Sequence, residues 1–189
     1  MTNYYYLEIG TCDHTYNNLA TKYPDKLGIS VEPIKSYLET LPDNNGYNIK
    51  VPYAIGENDG TAVINKCVVT MTKTKLDGSG WKGRSTLKDL DEIGIRHKHL
   101  FKTELINTIT LDTLIKRYKI SSLQLMRIDT EGYDGIIVNQ LLDSTLRPKT
   151  LIYEHVHLDN NEKTELRDRL STIYTCDNTT YLDDYWKLI

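Results

Sequence analysis

The stretch "YYYLEIGTCDHT", residues 4–15, decides the fold. Aromatic and branched strand-forming residues lead into an acidic residue, then a single glycine, then a short polar loop. This order is typical of a nucleotide-binding turn after the first strand of an α/β sheet. Gly10 permits a sharp turn close to a ligand, but the further glycines of a dinucleotide fingerprint are absent. The stretch therefore predicts either a cofactor site or only a strand that runs into a loop.

Length and composition predict one domain, residues 1–189, with a sizeable core. The formal net charge of −3 gives no reason to expect a nucleic acid or an anionic membrane as partner. Three cysteines without a CxxC pair favour free thiols in a reducing compartment. Because neither a secretory leader nor a membrane-spanning apolar run is recognisable, we expect a cytoplasmic location. The oligomeric state stays open.

Predicted strands alternate with predicted helices, which indicates a mostly parallel sheet with right-handed crossovers. The strands are predicted at 4–9, 28–31, 48–55, 61–70, 123–128 and 150–156. The helices are predicted at 13–23, 34–41, 111–118, 133–142 and 161–170. Residues 173–189 read as a terminal hairpin, which adds an antiparallel strand. Residues 76–102 show no clean periodicity.

Two glutamates end neighbouring predicted strands. Glu8 can accept a hydrogen bond from a ligand ammonium group, or it can order the following loop. Glu32 can accept both hydroxyls of a ribose, as the acidic residue of dinucleotide folds does. Alternatively, Glu32 caps the helix that begins near Pro33, where the helix dipole favours a negative charge. Because parallel strands end at one edge of the sheet, the two glutamates predict a nucleoside lying across the strand tips.

The third predicted strand ends in "YAIGENDG", residues 53–60. Ala54 and Ile55 are apolar and suit the face of an adenine ring, while Glu57 or Asn58 can reach its exocyclic amine. The same residues also predict a tight turn between two strands. A turn and an adenine site can both be present in this segment.

Two further segments carry ionisable groups at strand ends. In "LMRIDTEGYDG", residues 125–135, Asp129 and Glu131 can bind the cofactor, hold a metal or accept a substrate proton; otherwise they order the loop and cap the helix. In "YEHVHLDN", residues 153–160, His155 and His157 face one side of a strand. Such a pair can share a divalent ion, which we do not favour over a catalytic base or ordinary core and surface histidines.

Six segments, in this order, resemble the FkbM-type S-adenosylmethionine-dependent methyltransferases. They are "LEIGT" (7–11), "VEP" (31–33), "YAIGENDG" (53–60), "TITLDTL" (108–114), "RIDTEGYDG" (127–135) and "LIYEHV" (151–156). The resemblance implies an α/β class I methyltransferase fold, a Rossmann-like sheet of about seven strands, mostly parallel with an antiparallel C-terminal hairpin. The first loop departs from the family pattern, since His14 lies where a further glycine is usual.

The resemblance also implies S-adenosylmethionine as cofactor. The implied binding residues are Glu8, Gly10 and Thr11 at the methionine portion, Glu32 and Pro33 at the ribose, Ile55, Gly56 and Glu57 around the adenine, and Asp129 where cofactor meets substrate.

The expected reaction is methyl transfer to a hydroxyl of a saccharide or small metabolite. The candidate bases are Asp129, Glu131 and His155, and a divalent metal is possible but not favoured. Residues 76–102 are the candidate acceptor-recognition segment through Trp81, Lys82, Arg84, His97 and His99; the alternative is a mobile, solvated loop without that role. One alternative is a noncatalytic Rossmann-like module that has lost its cofactor. A nicotinamide oxidoreductase is a weaker alternative, because it requires the missing GxGxxG motif.

Overall fold

The computed structural model describes residues 1–13, 17–68, 83–90 and 92–189, with the side chain of Ile93 left aside. Several predictions fall on the remaining residues. Part of the predicted helix 13–23, the end of the predicted strand 61–70, and Trp81 and Lys82 of the candidate acceptor segment lie outside the described residues. His14 of the first loop lies there too.

The described residues form ten strands and six α-helices. The strands are β1 (Thr2–Ile9), β2 (Gly28–Val31), β3 (Asn48–Val51), β4 (Ala54–Ile55), β5 (Gly60–Cys67), β6 (Phe101–Ile109), β7 (Ile120–Ile128), β8 (Thr150–Glu154), β9 (Tyr174–Thr179) and β10 (Asp183–Leu188). The helices are α1 (Leu19–Lys22), α2 (Lys35–Leu38), α3 (Glu92–Arg96), α4 (Leu111–Arg117), α5 (Asp134–Asp143) and α6 (Asn160–Ser171). None of these helices has the length and apolar character needed to cross a membrane.

Seven of the described strands form the main sheet, in the order β3-β2-β1-β7-β8-β10-β9. The first five of these pair in parallel, whereas β10 runs antiparallel to both β8 and β9. This arrangement confirms the predicted fold class, a mostly parallel Rossmann-like sheet with an antiparallel C-terminal hairpin. The strand order reverses between β1 and β7, where α/β sheets bind their ligands.

A second sheet of three strands was not predicted. Its order is β4-β6-β5, with β4 parallel and β5 antiparallel to β6. The predicted strand 48–55 is wrong as a single element, since β3 ends at Val51 and β4 belongs to the second sheet. Pro52 lies at the break, and it has no N–H with which to continue the ladder. The last two residues of the irregular segment 76–102 begin β6.

The core lies on both faces of the main sheet. On one face α4, α5 and α6 pack against apolar residues of β1, β7 and β8, such as Leu7, Met126 and Leu151, which are fully buried. On the other face Tyr6 packs with Leu19 and Ala20 of α1. Burial on both faces explains why β1 reads as a nearly continuous apolar run.

Three predicted elements are shorter in the structure. The described part of the predicted helix 13–23 is helical only over α1, and helix 34–41 only over α2. The predicted strand 150–156 ends at Glu154, because a turn follows in which the Leu158 N–H donates to the His155 carbonyl oxygen at 3.1 Å. Asp159 then caps α6 in a reciprocal capping box with Glu162.

Candidate functional site

A cleft opens at the carboxyl ends of β1, β2 and β7, below the second sheet. It encloses about 540 Å³ of space, part of it open to solvent. We call it the first cleft. The residues that matter most for its chemistry are Gly10, Glu32, Tyr53, Ile55, Asp129 and Tyr133.

Gly10 brings the ends of β1 and β7 together. Its backbone has φ +80°, and a Cβ atom there would lie 1.8 Å from the Asp129 carbonyl oxygen. The Gly10 N–H donates to the Val31 carbonyl at 3.0 Å, and the Asp129 N–H donates to the Ile9 carbonyl at 3.0 Å. Only glycine combines this φ with so close an approach. The turn therefore places the end of β2 and the loop after β7 around one cleft.

Glu32 lines this cleft with a carboxylate that the backbone holds in place. Its Oε2 accepts the Cys12 N–H and its Oε1 accepts the Ile34 N–H, each at 2.9 Å. Burial raises the pKa of Glu32 to about 7, and the two N–H donors oppose the shift. A carboxylate offers about four acceptor positions, so two remain for a ligand such as a ribose diol.

Glu8 does not line the first cleft. It is 2% exposed, and its Oε2 accepts the Leu19 N–H at 2.8 Å, at the start of α1. Its Oε1 lies 3.5 Å from Nη1 of Arg127. Burial raises the pKa of Glu8 to about 7, against the opposing charge of Arg127. The structure thus does not bring Glu8 and Glu32 into a common cleft, and Glu8 anchors a helix instead.

The residues predicted around an adenine ring fall into two groups. Ile55, with Tyr53 and Ala54, forms an apolar wall of the first cleft. Pro33, predicted beside Glu32 and not at the adenine, also lines this cleft. Gly56 is buried, and its carbonyl accepts from Gln140 Nε2 at 2.8 Å. Glu57 is exposed. Neither of these two lines the cleft.

Thr11, predicted at the methionine portion, is 3% exposed. Its hydroxyl donates to the Cys12 carbonyl at 3.3 Å, and it does not line the cleft either. Of the three residues predicted there, Gly10 alone reaches the cleft.

Asp129 lines the first cleft, and 32% of its side chain is exposed. Removal of the carboxylate from bulk water raises its pKa to about 7, and Glu131 adds to the shift. Arg127 opposes it, with Nη2 3.2 Å from Asp129 Oδ2. A carboxylate that titrates near neutral pH and faces a cleft is suited to accept a proton.

A family model, described as the methyltransferase FkbM domain, matches residues 8–179. The chain belongs to this family. No curated protein and no solved structure matches it. The family assignment confirms the resemblance carried by the six sequence segments, and it makes the first cleft the candidate active site of a methyltransferase.

A second cleft adjoins the first in this FkbM-family chain and also encloses about 540 Å³. The two are separated by residues 83–88, the wall segment. Its alternate residues face opposite ways: Gly83, Ser85 and Leu87 line the first cleft, and Arg84, Thr86 and Lys88 line the second. Of the predicted acceptor-recognition residues, Arg84 therefore lines the second cleft.

Glu131 and His157 of this methyltransferase also line the second cleft. His157 Nε2 lies 3.1 Å from Glu131 Oε2 and 3.6 Å from Glu154 Oε2. Burial, reinforced by Glu131, raises the pKa of Glu154 to about 9. A hydrogen bond to Glu131 raises the pKa of His157, against its partial burial. The strand alternation predicted from the sequence puts Glu154 and His157 on opposite faces, and it does not foresee that the turn after β8 brings them together with Glu131.

His155 lines neither cleft. It is buried, with Nε2 3.1 Å from the Thr180 carbonyl oxygen and 3.7 Å from Asp184 Oδ1. The turn after Glu154 ends the strand alternation that would place the two histidines on one face. The structure therefore does not bring His155 and His157 to one metal site.

Proposed function

We propose that the chain transfers a methyl group from S-adenosylmethionine to a hydroxyl of a saccharide or another small metabolite. The observation that carries the proposal is the Glu32 carboxylate, fixed by two backbone N–H groups and facing the first cleft opposite an apolar wall. A ribose needs acceptors and an adenine needs apolar faces, so the lining fits a nucleoside. Membership of the FkbM methyltransferase family agrees with this.

The residues present fit the cofactor along the length of the first cleft. Glu32 would hold the ribose hydroxyls, Tyr53 and Ile55 would contact the adenine, and Gly10 and Asp129 would border the methionine portion. When bound, S-adenosylmethionine supplies an electrophilic methyl group on a sulfonium. The protein's part is to orient the two reactants in line and to keep water away from them.

Asp129 is the favoured acceptor for the hydroxyl proton. It faces the first cleft, and with a pKa of about 7 it is partly ionised at neutral pH. Glu131 faces the second cleft, and His155 lies apart from both. Those two predicted bases are therefore less favourably placed than Asp129.

Calorimetric titration of the chain with S-adenosylmethionine and S-adenosylhomocysteine tests cofactor binding. We expect one site for each ligand and a higher melting temperature when it is bound, because a ligand of the folded state stabilises it. Absence of both heat and thermal shift at millimolar ligand would contradict the proposal and favour the noncatalytic module. Titration with NAD serves as the control for the nicotinamide alternative, and no binding is expected.

Labelled methyl groups can then identify the acceptor. A panel of saccharides and hydroxylated metabolites is incubated with cofactor labelled in its methyl group, and the labelled product is analysed for an ether. Asp129→Asn should lower turnover about 10²- to 10⁴-fold, the usual contribution of a positioned base, with a smaller effect on cofactor affinity. Unchanged turnover in this variant would leave Asp129 with only a structural role.

A further inference from the structure

Three ligand-type atoms converge at the edge of the second cleft. They are Oε2 of Glu131, Oε2 of Glu154 and Nε2 of His157, and all lie within 4.8 Å of one another. Ligands bound about 2.0–2.4 Å from one divalent ion are separated by about 3–5 Å. The three atoms are therefore spaced so that a single ion could contact all of them.

Glu154 supplies an observation that does not depend on this spacing. Its Oε2 is buried and accepts no hydrogen bond from the described part of the chain. The side chain as a whole is 12% exposed. A buried oxygen without a hydrogen-bond donor is costly, and this oxygen is one of the three that converge. Among the described residues, it forms an ion pair with His157 Nε2 at 3.6 Å, which is too far for a hydrogen bond.

Asp134, near Glu131, Glu154 and His157, also has a buried carboxylate oxygen without a hydrogen-bond partner among the described residues. It is fully buried at the start of α5, and its Oδ2 accepts from Thr130 Oγ1 at 2.8 Å. Its Oδ1 has no hydrogen-bond partner within the described residues. The Asp134 carboxylate acts electrostatically on both Glu154 and His157, so this second unsatisfied oxygen belongs to the same negative region.

The charges around Glu154 are mostly negative. Asp183 is its direct cross-strand partner on β10, where like charges destabilise a sheet. Asp129, Glu131 and Asp134 also lie within electrostatic reach of Glu154. His157 and Arg84 bring positive charge to the region. Lys88 also lines the second cleft. A His157 imidazole that binds a metal is neutral, so a divalent cation would replace its single positive charge with two.

We propose that Glu131, Glu154 and His157 bind one divalent cation. Two carboxylates and one imidazole suit Mn²⁺ or Zn²⁺ better than Mg²⁺, which prefers oxygen ligands alone. Three protein ligands leave coordination positions open, and these face the second cleft through Glu131 and His157. The site is distinct from the first cleft and goes beyond the methyl transfer proposed there.

The test uses the chain after treatment with a chelator and exhaustive dialysis. Calorimetry with MnCl₂ and with ZnCl₂, together with the electron paramagnetic resonance spectrum of bound Mn²⁺, should show one site per chain. Glu154→Gln and His157→Gln should each weaken binding at least about 10-fold, as loss of a ligand or of its support does. Glu165→Gln, an exposed change on α6, is the matched control and should bind as the unaltered chain does.

Two results would overturn the proposal. One is the absence of binding at millimolar Mn²⁺ and Zn²⁺, which would leave the His157 imidazolium as the counter-ion of Glu131. The other is equal affinity in the Glu154→Gln variant and the unaltered chain. Glu131→Gln, whose side chain is 21% exposed, is a second variant in case a buried change prevents folding; equal affinity there would also count against the site.

The metal-binding test and the methyl-transfer test can succeed or fail independently of each other. Titration of the metal-free chain with S-adenosylhomocysteine reports on the first cleft, whereas MnCl₂ titration without nucleoside reports on the cluster. Failure of one leaves the other standing.

Discussion

At the scale of single residues, Glu32 holds the backbone around the first cleft, and in the proposed function it also binds the ribose. Its two oxygens hold the backbone at Cys12 and Ile34, and the residue lines the first cleft. Glu32→Gln keeps one acceptor oxygen but removes the charge. Because hydrogen bonds to charged groups are stronger than neutral ones, affinity for S-adenosylhomocysteine should fall on the order of 10-fold in calorimetry.

Glu57→Gln is the informative control for this prediction. The sequence places Glu57 at the adenine, but its exposed side chain does not line the first cleft, so we expect unchanged affinity. A loss of affinity in Glu57→Gln without one in Glu32→Gln would reverse our assignment of the nucleoside position.

Glu8 predicts a pH dependence of stability. Burial raises its pKa from 4.5 to about 7, while Arg127 opposes the shift and Asp129 adds to it. A raised carboxyl pKa gives stability that is complete below about 4.5 and is lost as the pH rises through about 7. The free energy of unfolding should therefore fall, relative to that of Glu8→Gln, between pH 4.5 and 8. Urea unfolding across this pH range measures the difference, and parallel curves would refute the expectation.

Sequence reasoning located these carboxylates but not their partners. The position of Glu32 at a strand end follows from local pattern, and the structure places it in the cleft. Glu8 occupies the equivalent end of β1, yet its carboxylate turns to the Leu19 N–H, eleven residues away. The sequence between Glu8 and Leu19 does not indicate this hydrogen bond, because it forms only when the intervening loop folds back toward β1.

At the scale of elements, the contact between β1 and β7 depends on Gly10. In Gly10→Ala the Cβ would meet the Asp129 carbonyl oxygen at 1.8 Å and the residue would keep φ +80°. Gly46→Ala is the matched control, with φ +84° and no atom within 4 Å of the added Cβ. The control should lose only about 1–2 kcal/mol, the cost of a left-handed side chain.

Gly10→Ala should lose at least about 2 kcal/mol more than this control, because the clash forces the two strand ends apart. Urea unfolding of both variants measures the difference. Equal losses would mean that the loop relaxes without disturbing β7.

The second sheet shows where element prediction fails. β6 pairs along its length with β5, some forty residues earlier in the chain, as in the pair Val63 and Leu105. Both of these apolar side chains are exposed, so the alternation that would reveal a half-buried strand is blurred. A pairing between distant segments leaves no local signal. The predicted ends of β3 and β8 are wrong for local reasons: Pro52 follows β3, and a turn closed by the Leu158 N–H and the His155 carbonyl follows β8.

At the scale of the whole molecule, Asp184 joins the C-terminal hairpin to the rest of the sheet. It is fully buried on β10, and it accepts Arg167 Nε at 2.7 Å and Nη2 at 2.9 Å from α6. It also accepts the Tyr153 hydroxyl from β8 at 2.9 Å. Asp184→Ala should lower the free energy of unfolding by about 3 kcal/mol, because the Tyr153 hydroxyl and the Arg167 guanidinium would both lose their acceptor.

Asp177→Ala on β9 is the control, because its ion pair with Lys187 is about half exposed and should contribute less than about 1 kcal/mol. Thermal and urea unfolding compare the two variants. A similar small loss in both would show that apolar packing alone holds the hairpin.

The overall architecture follows from the sequence better than the site does. Alternating strands and helices predict the parallel sheet, and the terminal pair of strands predicts the antiparallel hairpin; the structure confirms both. These features arise from hydrophobic periodicity, which is local. The convergence of Glu131, Glu154 and His157 arises from a turn and from two elements that lie far apart in the chain, so periodicity does not reveal it. The expectation of a single domain stays a prediction.

The orientation of the wall segment decides which of its side chains line the first cleft and which line the second. Asn65 and Thr86 exchange backbone hydrogen bonds of 2.9 and 3.1 Å, and the Thr86 hydroxyl donates to the Glu131 carbonyl at 2.8 Å. A slip of one residue at this isolated bridge would turn the flanking Ser85 and Leu87 side chains from the first cleft toward the second. The hydrogen bonds around Thr86 therefore keep the cationic side chains of the wall segment in the second cleft and its uncharged residues Ser85 and Leu87 in the first.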